Sequence, residues 1–207
     1  SRYLDEQIPN AILVEASGAS FYQPTEYERQ NAWAEFIVGG PAALSNDHEL
    51  LTLLFIDVVG STAQAVKIGD AQWVRVLGDL DAYVVQCVER RGGRVVKRTG
   101  DGHLISFDLP RKALAAACEI SLGVHALNVE VRCGLHTGEV DILPENDLGG
   151  IAVHVAARIC AAAGPKQVLV SRTVADLATG SEFRFEDRGS HELKGMPGGW
   201  MLYQVTK

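Results

Sequence analysis

The sequence of 207 residues lacks several patterns that define common protein classes. No run of about 18 apolar residues occurs, so no segment is long enough for a transmembrane helix, and no secretory signal peptide is recognisable. The four cysteines form no CxxC pair, and no His/Cys spacing is typical of a zinc site. A G-x-S-x-G motif is absent, which excludes a nucleophile elbow of the serine-hydrolase type.

Positively charged side chains are also fewer than negatively charged ones. The chain has 19 Lys and Arg against 26 Asp and Glu, a formal net charge of −7. Nonspecific binding to nucleic acid or to an anionic membrane surface needs a basic face, so neither partner is expected. Unpaired cysteines in apolar surroundings are expected to be buried free thiols, which favours a reducing, cytoplasmic location.

What the chain does contain is a pair of aspartates next to glycine-rich turns. Asp57 follows the apolar run Leu53–Ile56, and Asp101 lies between two glycines after a second apolar run. This pattern is typical of buried strands that carry an oxygen ligand at one end. Two such ligands suit Mg²⁺ or Mn²⁺, which prefer oxygen donors and often bridge to substrate phosphates. The turn Gly60–Thr62 places backbone N–H groups at a helix start, where phosphate is favoured.

The hydrophobic pattern predicts an α+β fold with a ferredoxin-like core. The predicted strands and helices of the core, in order, are Leu50–Val58, helix Ala71–Arg90, Arg94–Thr99, His103–Phe107, helix Pro110–Ala126 and Val129–His136. This β-α-β-β-α-β order matches the split βαβ motif. The predicted additions are a polar loop at Asp141–Gly150, helices Ile151–Ala163 and Thr173–Ala178, and strands Gln167–Val170, Phe183–Arg188 and Trp200–Val205.

From about Leu50 to Val205 the chain resembles a class III nucleotidyl cyclase catalytic domain. The motifs that carry the resemblance are Leu54–Thr62, Lys97–Gly102, Arg132–Val140, Val153–Arg158 and Leu193–Gly195. Each motif alone is a weak signal, but all five occur in order and at compatible spacing. The resemblance implies the ferredoxin-like core with two additions of this family, a dimerisation arm and extra C-terminal strands.

Residues 1–46 differ in pattern from residues 47–207, which form the cyclase-like domain. A short strand is predicted at Ile8–Glu15 and an amphipathic helix at Tyr27–Val38. One strand and one helix cannot bury a core alone. The strand and the loop after it resemble the end of an α/β-hydrolase, but the catalytic histidine expected near Phe21 is absent. The alternative is an ordinary linker with a docked helix.

The class III cyclase family converts ATP or GTP to the 3′,5′-cyclic monophosphate and pyrophosphate. Its members act as head-to-tail dimers with the active sites at the interface. The resemblance implies that Asp57 and Asp101 hold two Mg²⁺ or Mn²⁺ ions per site. The substrate phosphates would lie against the backbone of Val58, Val59, Gly60, Ser61 and Thr62. Without the other motifs, each aspartate is equally well explained as a helix cap or turn former.

Two positions set the choice of purine in this family, where adenylyl cyclases have Lys and Asp or Thr, and guanylyl cyclases have Glu and Cys. Lys97, four residues before Asp101, falls on the first position, and Asp147, seven residues before His154, falls on the second. A lysine can donate to adenine N1, and an aspartate can accept from the 6-amino group, so ATP is the expected substrate. The alternatives are a surface lysine and a solvated loop acid.

Three further residues match the family's catalytic and phosphate positions. Arg158 matches the arginine that stabilises the transition state, a role that suits a permanently charged, planar guanidinium. His154, one helical turn earlier, stands where the family usually has an asparagine that orients the ribose. It is expected to replace that hydrogen bond, to weaken activity, or to be a packed histidine without a catalytic role. Lys194 matches the lysine that contacts the triphosphate, with an exposed turn lysine as the alternative.

The sequence therefore predicts an adenylyl cyclase, a phosphorus–oxygen lyase, that acts as a homodimer on ATP. A guanylyl cyclase is the rival within the same class. Two other functions stay open: an ATP-binding regulatory module with little turnover, which His154 favours, and a ferredoxin-like interaction domain without a nucleotide role.

Overall fold

A computed structural model of the chain describes residues 48–206. The predictions for residues 1–46 lie outside the described residues. The strands are β1 (His48–Val58), β2 (Arg94–Arg98), β3 (His103–Phe107), β4 (Val131–Ile142), β5 (Leu148–Gly149), β6 (Val168–Ser171), β7 (Arg184–Glu192) and β8 (Gly199–Thr206). The α-helices are α1 (Ser61–Ile68), α2 (Asp70–Arg90), α3 (Pro110–Gly123), α4 (Ile151–Ala162) and α5 (Arg172–Leu177).

The strands form one mixed sheet in the order β2-β3-β1-β4-β6-β8-β7, with β5 paired to β4. The first four strands in this order are antiparallel to their neighbours, as in a split βαβ motif. Strand β6 joins β4 in parallel, and β8 and β7 follow antiparallel. The predicted α+β class, ferredoxin-like core and extra C-terminal strands are confirmed.

Both faces of the sheet are buried by helices. Leu54 and Ile56 of β1 face a core formed with α2 and α3, whereas Leu53 faces a second core formed with Ala152 and Ala156 of α4. Successive strand residues point to opposite faces, so a strand covered on both sides needs a continuous apolar run. This is the physical reason for the unbroken run before Asp57.

Helix α4 packs unusually close to β4 because glycines face it. A Cβ atom at Gly134 would lie 2.1 Å from the backbone nitrogen of Cys160, and one at Gly138 would lie 2.8 Å from the Cβ of Ala152. Only glycine fits at such distances. The two contacts, four residues apart on the strand, fix the position of the helix that carries Arg158.

Strand β4 is longer than the sequence suggested. It was expected to end at His136 and to be followed by a polar loop from Asp141, but it continues to Ile142, and Leu148–Gly149 pairs back onto it. The reason is that every residue of β1 pairs with β4, up to His48 opposite Asp141. This pairing keeps β4 extended beyond His136. The polar Thr137 is satisfied inside the sheet, since its Oγ1 lies 2.9 Å from Oγ1 of Thr52.

The predicted state of the cysteines is confirmed for the described part of the chain. None of the four cysteines, all of which lie between residues 48 and 206, forms a disulfide; Cys87, Cys133 and Cys160 are buried and Cys118 is half-buried. Burial raises the pKa of the Cys160 thiol to about 12, so this thiol stays protonated and unreactive. No helix between residues 48 and 206 is both long enough and apolar enough to cross a bilayer.

His136 is expected to make the free energy of unfolding depend on pH. Its side chain is buried in the sheet, its Nδ1 shares a hydrogen bond of 2.9 Å with Oγ of Ser171, and burial lowers its pKa from 6.5 to about 4. Between these values the unfolded chain binds a proton that the folded chain does not. The contribution of His136 to the free energy of unfolding is therefore fully present above pH 6.5. It is lost as the pH drops towards 4, by up to about 3 kcal/mol.

Urea unfolding at pH 7.5 and pH 4.5 measures this loss. The matched variant is His136→Asn, which keeps a polar group for Ser171 but does not titrate in this range. We expect the variant to lose less stability than the wild type between the two pH values. An equal loss in both proteins would contradict a neutral, buried His136.

Candidate active site

The two predicted metal ligands lie at neighbouring points of the sheet. Asp57 is the penultimate residue of β1, and Asp101 lies in the tight turn between β2 and β3. A Cβ atom at Gly102 would lie 2.3 Å from the carbonyl oxygen of Ile56, so the turn approaches β1 as closely as a glycine allows. Because Asp57 follows Ile56 and Asp101 precedes Gly102, this contact brings the two carboxylate residues together.

The turn that carries Asp101 is also tied to α2. Asp81 of α2 accepts hydrogen bonds from Nε2 of His103, at 3.0 Å, and from Arg98. Burial raises the pKa of Asp81, but these two hydrogen bonds outweigh it and hold the pKa below its usual value. Together with Asp101 these side chains line a cleft of about 240 Å³. Both strands of the hairpin are thus anchored to one helix.

Asp57 makes an ion pair that sequence reasoning missed. Nε of Arg132 donates to Oδ2 of Asp57 at 2.8 Å, and Nη2 donates to the same oxygen. Arg132 stands directly opposite Asp57 in the β1–β4 register, and both side chains are about one-third exposed, at 34% and 32%. The antiparallel register places them side by side, so knowledge of the register would have revealed the pair.

The donor set fits a hard divalent cation. No group of three or more His, Cys, Asp or Glu side chains suited to a metal occurs among residues 48–206, so the predicted donors are two carboxylates, those of Asp57 and Asp101. Magnesium is commonly held by one or two carboxylates, with waters and substrate phosphates completing its shell. Two neighbouring carboxylates, of which that of Asp101 lines the cleft, are therefore the kind of oxygen ligands that Mg²⁺ or Mn²⁺ prefers.

Helix α1 begins at Ser61, four residues after Asp57, and its first turn has backbone N–H groups available to a ligand. Gly60 adopts a left-handed conformation at φ 65°, its carbonyl accepts from Gln64 N–H at 3.0 Å, and no side chain caps the helix. The first N–H groups of such a helix lack intrahelical partners and favour an anion. No residue of α1 is buried, which explains why no apolar periodicity predicted it.

The two residues assigned to purine recognition are in direct contact. Nζ of Lys97 donates to Oδ2 of Asp147 at 2.6 Å, and the Leu148 N–H donates to Oδ1 at 2.7 Å. Burial raises the pKa of Asp147, but the hydrogen bonds from Lys97 and Leu148 outweigh it and hold the pKa below its usual value. The loop carboxylate is therefore ionised and fixed in direction next to a cation.

The remaining predicted residues, His154, Arg158 and Lys194, are exposed. His154 and Arg158 lie on the outer surface of α4, four residues apart and hence on one helix face. Neither makes a hydrogen bond or ion pair with another residue of the described range. Lys194 is exposed in the turn between β7 and β8, where Leu193 is buried and its carbonyl accepts from Met196 N–H at 2.9 Å.

The ion pair of Asp57 and the ion pair of Asp147 lie near different ends of α4. Nη1 of Arg132, the partner of Asp57, donates to the carbonyl of Ala161 in the last turn of the helix at 3.3 Å. Asp147 precedes the first residue of the helix by four positions. A helix of 12 residues is ~18 Å long. The pair of Asp57 with Arg132 and the pair of Lys97 with Asp147 therefore lie at opposite ends of α4.

Comparison with known proteins gives the family of the chain. The family model described as adenylate and guanylate cyclase catalytic domain matches residues 44–207. Putative adenylate cyclase 3 of Rhizobium meliloti is 33% identical over 135 residues, which cover 61% of this chain and 22% of that protein. The chain spans 33% or less of the length of the first curated relatives that it matches.

Two solved structures share the fold. The adenylyl cyclase CyaB from P. aeruginosa superposes with a TM-score of 0.70 at 21% identity, over 78% of this chain and 95% of that one. The adenylate/guanylate cyclase/hydrolase from Silicibacter pomeroyi gives 0.67 at 26% identity, over 78% and 98%. With a family model that matches most of its length, this chain belongs to the adenylate and guanylate cyclase catalytic domain family.

Proposed function

We propose that this domain is an adenylyl cyclase that converts ATP to 3′,5′-cyclic AMP and pyrophosphate at the interface of a homodimer. The observation that carries the choice of ATP is the contact between Lys97 and Asp147. Adenine presents an acceptor, N1, beside a donor, the 6-amino group, which this pair complements. Guanine presents the opposite order on the same edge and would leave buried polar groups unpaired.

The metal half of the site would consist of Asp57, Asp101 and the start of α1. Two Mg²⁺ or Mn²⁺ ions held there would neutralise the triphosphate and lower the pKa of the ribose 3′-hydroxyl. To serve as a ligand, Asp57 exchanges its contact with Arg132, whose guanidinium keeps its charge next to the phosphates. The N–H groups of Gly60–Thr62 bind phosphate oxygens, as helix N-termini do.

The second half of the site would come from the other protomer. Lys97 and Asp147 bind the base, and Arg158, on the exposed face of α4, donates to the oxyanion that develops as the ribose oxygen attacks the α-phosphorus in line. His154, one turn earlier, donates to the ribose in place of the usual asparagine. Lys194 contacts the leaving pyrophosphate and balances its growing charge.

Exposed apolar surface beside the metal half supports a second protomer there. Val66 at the end of α1 is 82% exposed and Val74 in α2 is 67% exposed. Val74 also lines the cleft that contains Asp101, so an apolar side chain is available for contact with a second protomer beside the proposed site. Two copies of the chain would then form two complete sites. The buried, unoxidised thiols of Cys87, Cys133 and Cys160 fit a reducing, cytoplasmic location.

The proposal is tested by measuring cyclic AMP and cyclic GMP formation from Mn²⁺–ATP and Mn²⁺–GTP over a range of protein concentrations. Cyclic AMP formation that rises more than linearly with protein is expected, because only the dimer has complete sites. Cyclic GMP as the main product would overturn the choice of ATP alone. Binding of ATP without either product would favour the regulatory module, the alternative that His154 supports.

A double variant tests the purine pair directly. Lys97→Glu with Asp147→Cys introduces the residues found in guanylyl cyclases, and we expect it to lower kcat/KM for ATP by about a hundredfold or more while that for GTP rises. The matched control is Lys112→Glu with Asp108→Cys, another exposed pair with an Nζ–Oδ2 distance of 2.9 Å. An unchanged ratio of ATP to GTP use in the first variant would contradict the assignment.

A further inference from the structure

We propose that Arg94 is a positioning residue for purine recognition, because it holds the turn that presents Asp147. This inference rests on the proposed function, since it concerns how the base would be read. Nη1 of Arg94 donates to the carbonyl oxygen of Asn146 at 2.7 Å, across 52 residues of sequence. The carbonyl belongs to the residue directly before Asp147, so this bond fixes the backbone that carries the carboxylate.

The turn itself is one that needs such support. Glu145 and Asn146 both have positive φ, at 61° and 59°, and residues other than glycine adopt this region at a cost. The turn is closed by Leu143 N–H donating to the Asp147 carbonyl at 2.9 Å and by a longer bond of 3.3 Å from Asp147 N–H to Pro144. Strained backbone of this kind persists only where surrounding contacts hold it.

A bulge in β2 is what allows Arg94 and Lys97 to act on the same turn. Residues three apart on a regular strand point to opposite faces. Here the register shifts between Val95 and Lys97, so that Arg94 stands opposite Ser106 and Lys97 opposite Leu104, only two partners further along. One inserted residue therefore turns both cations to one face. Lys97 holds the carboxylate, and Arg94 holds the peptide before it.

Electrostatics act in the same direction. Burial raises the pKa of Asp147, but hydrogen bonds from Lys97 and Leu148 and the charges of Lys97 and Arg94 lower it. Arg94 thus favours the ionised carboxylate as well as its orientation. Loss of Arg94 is expected to leave Lys97 in place while Asp147 loses its fixed direction. The acceptor for the 6-amino group would then be poorly aligned, whereas the donor to N1 would remain.

Two substrates separate this effect from a general loss of function. Purine riboside 5′-triphosphate has N1 but no 6-amino group, so it does not use Asp147. For Arg94→Ala we expect kcat/KM for ATP to fall about fivefold to tenfold relative to that for purine riboside triphosphate. Arg94→Lys, which keeps a donor for the carbonyl, should recover part of the ratio. Arg111→Ala, which removes an exposed pair with Glu182, should leave the ratio unchanged. An unchanged ratio of kcat/KM for ATP to that for purine riboside triphosphate in Arg94→Ala would overturn the inference, whether or not both values fall.

A second measurement does not depend on turnover. Amide hydrogen exchange at Leu143 and Asp147 reports the closing bonds of the turn. We expect faster exchange in Arg94→Ala than in the wild type and no change in Arg111→Ala. Unchanged exchange in Arg94→Ala would overturn the inference. If the wild type forms no cyclic nucleotide, the proposed function fails, and the exchange measurement still decides the role of Arg94.

Discussion

Replacing Asp57 with alanine is expected to lower the rate of cyclic AMP formation by about a thousandfold or more, because it leaves Asp101 as the single proposed metal ligand. The fold should survive. The ion pair between Asp57 and Arg132 is about one-third exposed, and such pairs contribute roughly 0–1 kcal/mol to stability. Initial rates at saturating Mn²⁺–ATP, with thermal unfolding of each variant, measure the two effects separately.

The matched control for this variant is Asp176→Ala. Asp176 is an exposed carboxylate that pairs with Arg172 on the same helix, so its loss removes one negative charge and one ion pair without touching the proposed site. We expect wild-type rates from it. If Asp57→Ala retained more than about a tenth of wild-type activity while folded, its carboxylate would not be a metal ligand for the reaction.

Mixing two inactive proteins is expected to restore activity if each site draws on both protomers. Arg158→Ala alone should lose about a hundredfold or more in rate, since it removes a donor to the transition-state oxyanion. In an equal mixture with Asp57→Ala, half of the dimers are mixed. Each mixed dimer has one complete site, made from Asp57 of one chain and Arg158 of the other. The expected recovery is about a quarter of wild-type activity.

A second mixture controls for nonspecific rescue. Asp57→Ala and Asp101→Ala both damage the metal half, so their mixed dimers contain no complete site and should stay inactive. Native mass spectrometry of the mixtures shows whether mixed dimers form. Inactivity of the Asp57→Ala and Arg158→Ala mixture, with mixed dimers present, would contradict the shared-site arrangement.

Local pattern was sufficient for much of this fold. The helix predicted at Ala71–Arg90 differs from α2 by one residue, and β3 has the predicted bounds, because both are marked by strong apolar periodicity and by glycines at their ends. The order of the elements then determined the ferredoxin-like core. Lys97 and Asp147 are in contact, and their assignment to purine recognition stays a prediction.

The features that sequence reasoning missed depend on contacts between distant segments. The extension of β4 beyond His136 follows from pairing with β1, and the pair of Arg132 with Asp57 follows from the register of those strands. Neither is visible in local periodicity, since a strand's partner determines where pairing stops. The role proposed for Arg94 was missed because it depends on a bulge in β2 and on a turn 52 residues away.

The ion pairs at the two ends of α4 have a consequence for the nucleotide-free protein. Asp57 is neutralised by Arg132 and Asp147 by Lys97, so each of these two carboxylates already has a counter-charge before any nucleotide binds. Under the proposed function, substrate and metal would enter by exchange with these existing partners. Affinity would then be set by the difference between two good arrangements, which favours a site that is stable when empty and releases its products readily.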